Sequence, residues 1–165
     1  LSEVKKDSIR FMMLNRSNDV ELDFDFDKVK DKTKDNPVFY VQYANARINS
    51  LLRLLNTSLV KKIEPKDSEF NLNQMEEKIL RKVFEWPKII ESASRKFDLH
   101  KIPYYLYELS TLFHAYWSKG NEDKKYKFII DQKIQRKEIL IIISLVSIVI
   151  KNGMTILGVS LPEKM

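Results

Sequence analysis

The stretch NPVFYVQYANAR, residues 36–47, sets three aromatic rings, a glutamine and an arginine beside a helical apolar stripe. Tyr40 and Tyr43 fall near the head of one predicted helix, and Tyr116 with Trp117 near the tail of another. Rings of this kind, with Arg47 and Lys119 as cations, suit single-stranded nucleic acid. Each stacked base contributes about 1–3 kcal/mol, and the cations neutralise phosphates. Aromatics at helical spacing more often serve as core, and Phe39, Tyr105, Tyr107 and Phe113 are assigned there; the charge run EDKKYK reads as solvated surface.

Other chemistry is scarce. His100 and His114 are the only histidines, each read as an isolated surface or capping residue, and neither an H-E-x-x-H pair nor a glycine-rich phosphate loop occurs. With no cysteine, thiolate nucleophiles, disulfides and Cys-based metal sites are excluded. Asp23, Asp25 and Asp27 imitate the start of a calcium loop, but its sixth and twelfth positions hold Lys28 and Lys34. The expectation is no catalytic residue, no metal ligand and no cofactor within these 165 residues.

The balance of 44% hydrophobic to 32% charged residues fits one soluble domain. A net charge of +6 and pI near 9.3 favour a polyanionic partner, nucleic acid first and an acidic membrane surface second. Absence of cysteine fits a reducing compartment, and the cytoplasm is the expected location. The chain begins at Leu1 with no signal pattern, which reads as processing or as an excerpt of something longer.

The elements that must position the rings are helical. Three glycines and five prolines leave few breaks. KKDSIRFMMLN predicts a short helix capped by Asp7 and packing through Ile9, Met12 and Met13; ELDFDFD alternates like an extended piece. A helix opens at Pro37 and runs to about Leu59, with Val41, Ala44, Ile48, Leu51, Leu52, Leu55 and Leu59 in one stripe and Tyr40, Tyr43 and Arg47 along its edge. QMEEKILRKVFEW predicts another, ended by Pro87, and KIIESASRKF a third. The next runs from about Pro103, with Gly120 past its end; the last spans about Lys125 to Asn152, stopped by Gly153. Its run Ile139–Ile150 is 12 residues long, short of the roughly 20 a membrane span needs, and reads as buried core. The fold expected is all-α, an antiparallel bundle of about six helices.

Three segments carry a family resemblance. DNPVFYVQYANARI resembles the D-N-P-V-x-Y-V-Q-Y-A-H-A-R segment of bacterial-type arginyl-tRNA synthetases, and NGMTILGVSLPEKM resembles their terminal N-G-L-x-L-L-G-[IV]-x-x-P-E-R-M. The opening LSEVKKDSIRFMMLNRSNDVELDFD is similar to the stretch after their K-M-S-K loop. The resemblance implies a class I arginine-tRNA ligase using ATP and Mg²⁺, with the catalytic H-I-G-H and K-M-S-K signatures upstream of this chain. Residues 1–35 would connect to the catalytic domain and residues 36–165 would form a DALR-type helical anticodon-binding domain.

By the same resemblance Tyr40, Tyr43, Trp117 and the terminal Met165 border anticodon-loop bases, Arg47 matches an arginine of the motif, and residues 30–36 match a loop near the anticodon. With Asn36 and Gln42 from the matched motif, and Tyr116 from residue type, these make up the expected tRNA-binding set. Asn45 stands where the family usually has His, Lys164 where it usually has Arg, and Lys5 or Lys6 where a Gly is common. The partner expected is the anticodon arm of an arginine tRNA, with no DNA, no membrane and a monomeric state. The rival is a basic helical protein-interaction module with no preference for RNA over a charge-matched polyanion; a membrane-surface protein using the Ile-rich helix would instead bind lipid.

Overall fold

The computed structural model describes residues 6–17, 31, 33–54, 71–131 and 133–165. Among these, six α-helices occur in chain order: α1 (Lys6–Leu14), α2 (Pro37–Leu54), α3 (Gln74–Phe84), α4 (Trp86–Lys96), α5 (Lys101–Glu122) and α6 (Lys137–Leu157). The long α5 is the hub, packing against α2, α3, α4 and α6. The bundle is the one expected from the sequence, with one small hairpin added.

Local chemistry explains where the helices start. Asn36 caps α2: its Oδ1 accepts the Phe39 N–H at 3.3 Å while its Nδ2 donates to the Asp31 carbonyl at 2.8 Å. Pro37 follows in the first turn, where a missing N–H costs nothing. Asn73 and Glu76 cap α3 reciprocally, Asn73 Oδ1 accepting from Met75 N and Glu76 N, and Glu76 Oε2 accepting from Asn73 N at 2.8 Å. The expected stop at Pro87 is instead a joint. Glu85 closes α3 and opens α4, so Pro87 sits harmlessly in the first turn of α4, and Trp86 turns inward against Tyr105 at 5.2 Å.

Glycines expected as stops lie inside helices, at close contacts. Gly120 lies inside α5, where a Cβ would come within 2.9 Å of the Tyr126 carbonyl oxygen. Gly153 lies inside α6, where a Cβ would sit 2.7 Å from a methyl of fully buried Leu106. The true stop of α6 is Gly158, at φ 65°, with the Val159 N–H reaching back to the Met154 carbonyl. Gly153→Ala is therefore expected to lower stability by about 1–2 kcal/mol through overpacking between α5 and α6, read as a lower urea midpoint.

The residues before α6 depart from the expected helix. Asp123 accepts from Lys125 N and terminates α5 into a 3₁₀ turn, Lys124–Tyr126. Strands β1 (Ile129–Ile130) and β2 (Lys133–Ile134) then pair antiparallel, Ile129 opposite Ile134, beside Asp131 at φ 48°. The β-branched residues favour this extended start. In α1 the buried residues are Ser8 and Phe11, not Ile9, Met12 and Met13, and Met13 is 58% exposed. Asp7 lies within its first turn, not before it, and accepts both the N–H and the hydroxyl of Ser160. The ELDFDFD reading, Leu55 and Leu59 lie outside the described residues.

The core runs through the whole body. Val41, Ala44, Ile48 and Leu51 of α2 meet Ile102, Leu106, Leu109 and Phe113 of α5 and Ile139, Ile143, Val146 and Ile150 of α6 within one buried cluster. Helix α6 is long and apolar enough by composition to cross a membrane, but eleven of its residues are buried in this cluster or at its edge, as a core helix requires. Glu76 is fully buried as well, its carboxylate taking hydrogen bonds from Tyr116 Oη at 2.5 Å and from the Arg136 guanidinium.

Candidate nucleic-acid interface

Helices α2 and α5 lie side by side, and the chain's last residues cross their exposed edge. Gln42 Nε2 donates to the Ser160 carbonyl at 2.9 Å, Asn45 Nδ2 to the Pro162 carbonyl at 3.1 Å, and an Arg53 N–H to the Glu163 carbonyl at 3.3 Å. Three side chains on one face of α2 thus hold the tail by its backbone, and Asp7 of α1 also holds it, accepting the Ser160 N–H. The tail delivers Lys164 and Met165 to the rim of a cleft of about 500 Å³, lined also by Tyr43, Arg47, Arg53 and Trp117.

Arg47 organises the cleft. Its guanidinium carbon lies 4.3 Å from the centre of the Tyr43 ring and 5.0 Å from that of Trp117, so one cation stabilises both rings electrostatically. One terminal nitrogen donates to Tyr43 Oη at 2.9 Å and the other to His114 Nδ1 at 3.3 Å. Because arginine only donates, His114 Nδ1 must accept, which leaves Nε2–H to donate to the Tyr40 carbonyl at 3.1 Å. A neutral imidazole satisfies both contacts and a protonated one cannot. Burial, reinforced by the nearby Arg47 charge and opposed by the Tyr40 carbonyl, pushes the His114 pKa down to about 4.

A pH dependence follows. His114 has its folded-state pKa depressed from an ordinary 6.5, so the stability it contributes is complete above about 6.5 and is lost as the pH falls toward about 4. Urea midpoints at pH 7.5 and pH 4.5 should show the parent losing about 2 kcal/mol more than a His114→Gln variant across that window.

The structure brings together Tyr43, Arg47, Trp117 and Met165 of the expected set, Met165 being 54% exposed. Others have supporting places. Tyr40 is half-buried, 4.3 Å from the His114 ring and 5.4 Å from Tyr107, and backs the cleft without lining it. Gln42 holds the tail, and Asn36, 4% exposed, is a helix cap. Tyr116 does not reach the cleft: it is 1% exposed, and its hydroxyl donates to the buried Glu76 carboxylate of α3. Its neighbour Trp117, about 100° further round the helix, takes the cleft position. Lys119 is ion-paired with Glu122 at 3.0 Å.

Three further residues escaped the sequence reading. His114 is buried beneath Arg47, not on the surface or at a cap. Asn45, noted only as a departure, is a tail anchor, and Arg53 is both a cleft residue and a tail anchor. The 42, 45, 53 spacing of polar residues on one helix face was the available signal. Phe39 and Tyr107 are half-buried and outside the cleft lining, Phe39 stacked on Tyr43 at 5.7 Å, whereas Tyr105 and Phe113 are core as expected.

Comparison with solved structures gives the class. A Campylobacter jejuni crystal structure, provisionally named an arginyl-tRNA synthetase, superposes with a TM-score of 0.82 at 26% identity, over 99% of this chain and 34% of that one. The Plasmodium falciparum arginyl-tRNA synthetase shares the fold, with a TM-score of 0.78 at 21% identity over 96% of this chain and 26% of that one. The family model for the DALR anticodon binding domain matches residues 41–165, and the chain belongs to that family. It is 53% identical over its full length to the arginine-tRNA ligase of Pelagibacter ubique and 41% identical to that of Ruegeria pomeroyi, and it spans 29% of the length of each.

Proposed function

We propose that this chain is the tRNA-binding, C-terminal part of an arginine-tRNA ligase, and that the α2–α5 cleft receives unstacked bases of the anticodon loop. The observation that carries the reading is the convergence of Tyr43, Arg47, Trp117 and Met165, from three distant parts of the chain, on one open cleft of about 500 Å³. Tyr43 and Trp117 offer stacking faces, Arg47 fixes their spacing, and Arg53 and Lys164 lie where a phosphate backbone would enter. The wider ligase would act in the cytoplasm as a monomer, with ATP and Mg²⁺ handled outside this chain. Among the described residues no group of three or more His, Asp or Glu is placed to hold a metal ion. In the domain scheme, residues 36–165 form the binding domain and residues 1–35 the connection, whose helix α1 joins the same core through Phe11.

The test is titration of the chain with an arginine anticodon stem-loop against a charge-matched polyanion at several salt concentrations. The reading expects tighter binding of the stem-loop; equal affinity for both marks the chain as a basic protein-interaction module instead. Arg53→Ala and Lys164→Ala should each reduce the slope of log affinity against log salt by about one, uniformly across loop sequences.

A further inference from the structure

Trp117 borders a second cleft, of about 210 Å³, on which Leu54, Asn121, Lys127, Phe128 and Ile129 converge. Its walls are apolar: Phe128 is 6% exposed and packs edge-on to Trp117 at 5.7 Å, Ile129 is half-buried, and Leu54 at the end of α2 is 65% exposed. Its polar residues are Asn121 and Lys127. An asparagine amide both donates and accepts, as a base edge does, and a lysine beside a flat apolar slot matches a base with its phosphate attached. Charge points the same way: residues 119–133 carry five lysines against three carboxylates, and one lysine, Lys119, is already paired.

We propose that this cleft is a second nucleotide subsite, which takes an unstacked base neighbouring the one held over Tyr43, with its phosphate on Lys127. The inference rests on the RNA reading of the first cleft. Trp117 lines both clefts, so a strand crossing it would present successive nucleotides to the two. The 3₁₀ turn and hairpin before α6 then have a binding role, holding Lys127 and Ile129 against the end of α2. A protein side chain would also fit an apolar slot, but the lysine excess and the continuity with the first cleft favour nucleic acid.

The test uses the 165-residue chain and an arginine anticodon stem-loop in which each loop nucleotide is replaced in turn by an abasic one. Leu54→Asp and Lys127→Ala, both at solvent-accessible positions, should each weaken the intact loop about fivefold or more. Leu54→Asp should also become indifferent to one abasic position, different from the position to which Tyr43→Ala becomes indifferent. If Leu54→Asp and Lys127→Ala leave affinity and abasic pattern unchanged while Tyr43→Ala weakens binding, the subsite is overturned and the first cleft stands. Loss of preference for the stem-loop over a charge-matched polyanion in the parent chain overturns both.

Discussion

Tyr43→Ala should weaken binding of the anticodon stem-loop about ten- to a hundredfold, with Trp117→Ala close behind. Each substitution removes a stacking face from the cleft, and Tyr43 does more. Its hydroxyl accepts from Arg47 at 2.9 Å and its ring lies 4.3 Å from the guanidinium carbon, so without it the arginine loses two of its restraints. Tyr43→Phe separates the contributions, since it keeps the ring and deletes only the hydrogen bond, and should cost fivefold or less. Because Tyr43 and Arg47 act together, the double alanine variant should be less impaired than the product of the single effects. Tyr43 is half-buried at the rim, so the helical signal should survive; alanine variants that fold and bind within twofold of the parent would remove the rings from the interface.

The second large effect lies away from the cleft. Arg136→Ala should lower stability by about 3 kcal/mol, because it strands a charge that the fold has buried. The Glu76 carboxylate is fully inaccessible and depends on three donors, Asn73 N, Tyr116 Oη and the Arg136 guanidinium. Arg136 also donates to the Asn71 carbonyl at 2.7 Å, which fixes the chain leading into α3. Its own side chain is 34% exposed, so the penalty comes from desolvated Glu76 and not from loss of a surface pair. Pairing Arg136→Met with Glu76→Gln should recover much of the loss by removing the unpaired charge. Urea unfolding reads the difference, and a cost below 1 kcal/mol would show the carboxylate reaching water or a proton instead.

The sequence made the bundle legible where periodicity and caps agreed. The α2 stripe, the Pro37 start and the core reading of the Ile-rich α6 all follow from side-chain period and length. It misled where one residue type serves two physical ends. Gly120 makes room for the Tyr126–Lys127 backbone and Gly153 for the Leu106 side chain, which has the same appearance in sequence as a stop. In the cleft, Tyr43 and Trp117 stood out by type, but adjacent Tyr116 did too, and only the helix rotation of about 100° per residue separates the buried ring from the one lining the cleft. His114 was illegible because its meaning comes from Arg47, 67 positions earlier. The tail anchors were hidden likewise, since they recognise backbone carbonyls more than a hundred residues away, which carry no side-chain signature.

Only two tryptophans are present, Trp86 in the core beside Tyr105 and Trp117 at the cleft, so Trp86→Phe leaves a single indole where bases are proposed to stack, excited selectively beyond the red edge of tyrosine absorption. Titrating that variant with the arginine anticodon stem-loop should quench the remaining emission saturably, with a matched stem carrying an abasic loop giving little change at the same charge. Equal quenching by both, or binding of the stem-loop with no change in Trp117 emission, would contradict base stacking in the α2–α5 cleft.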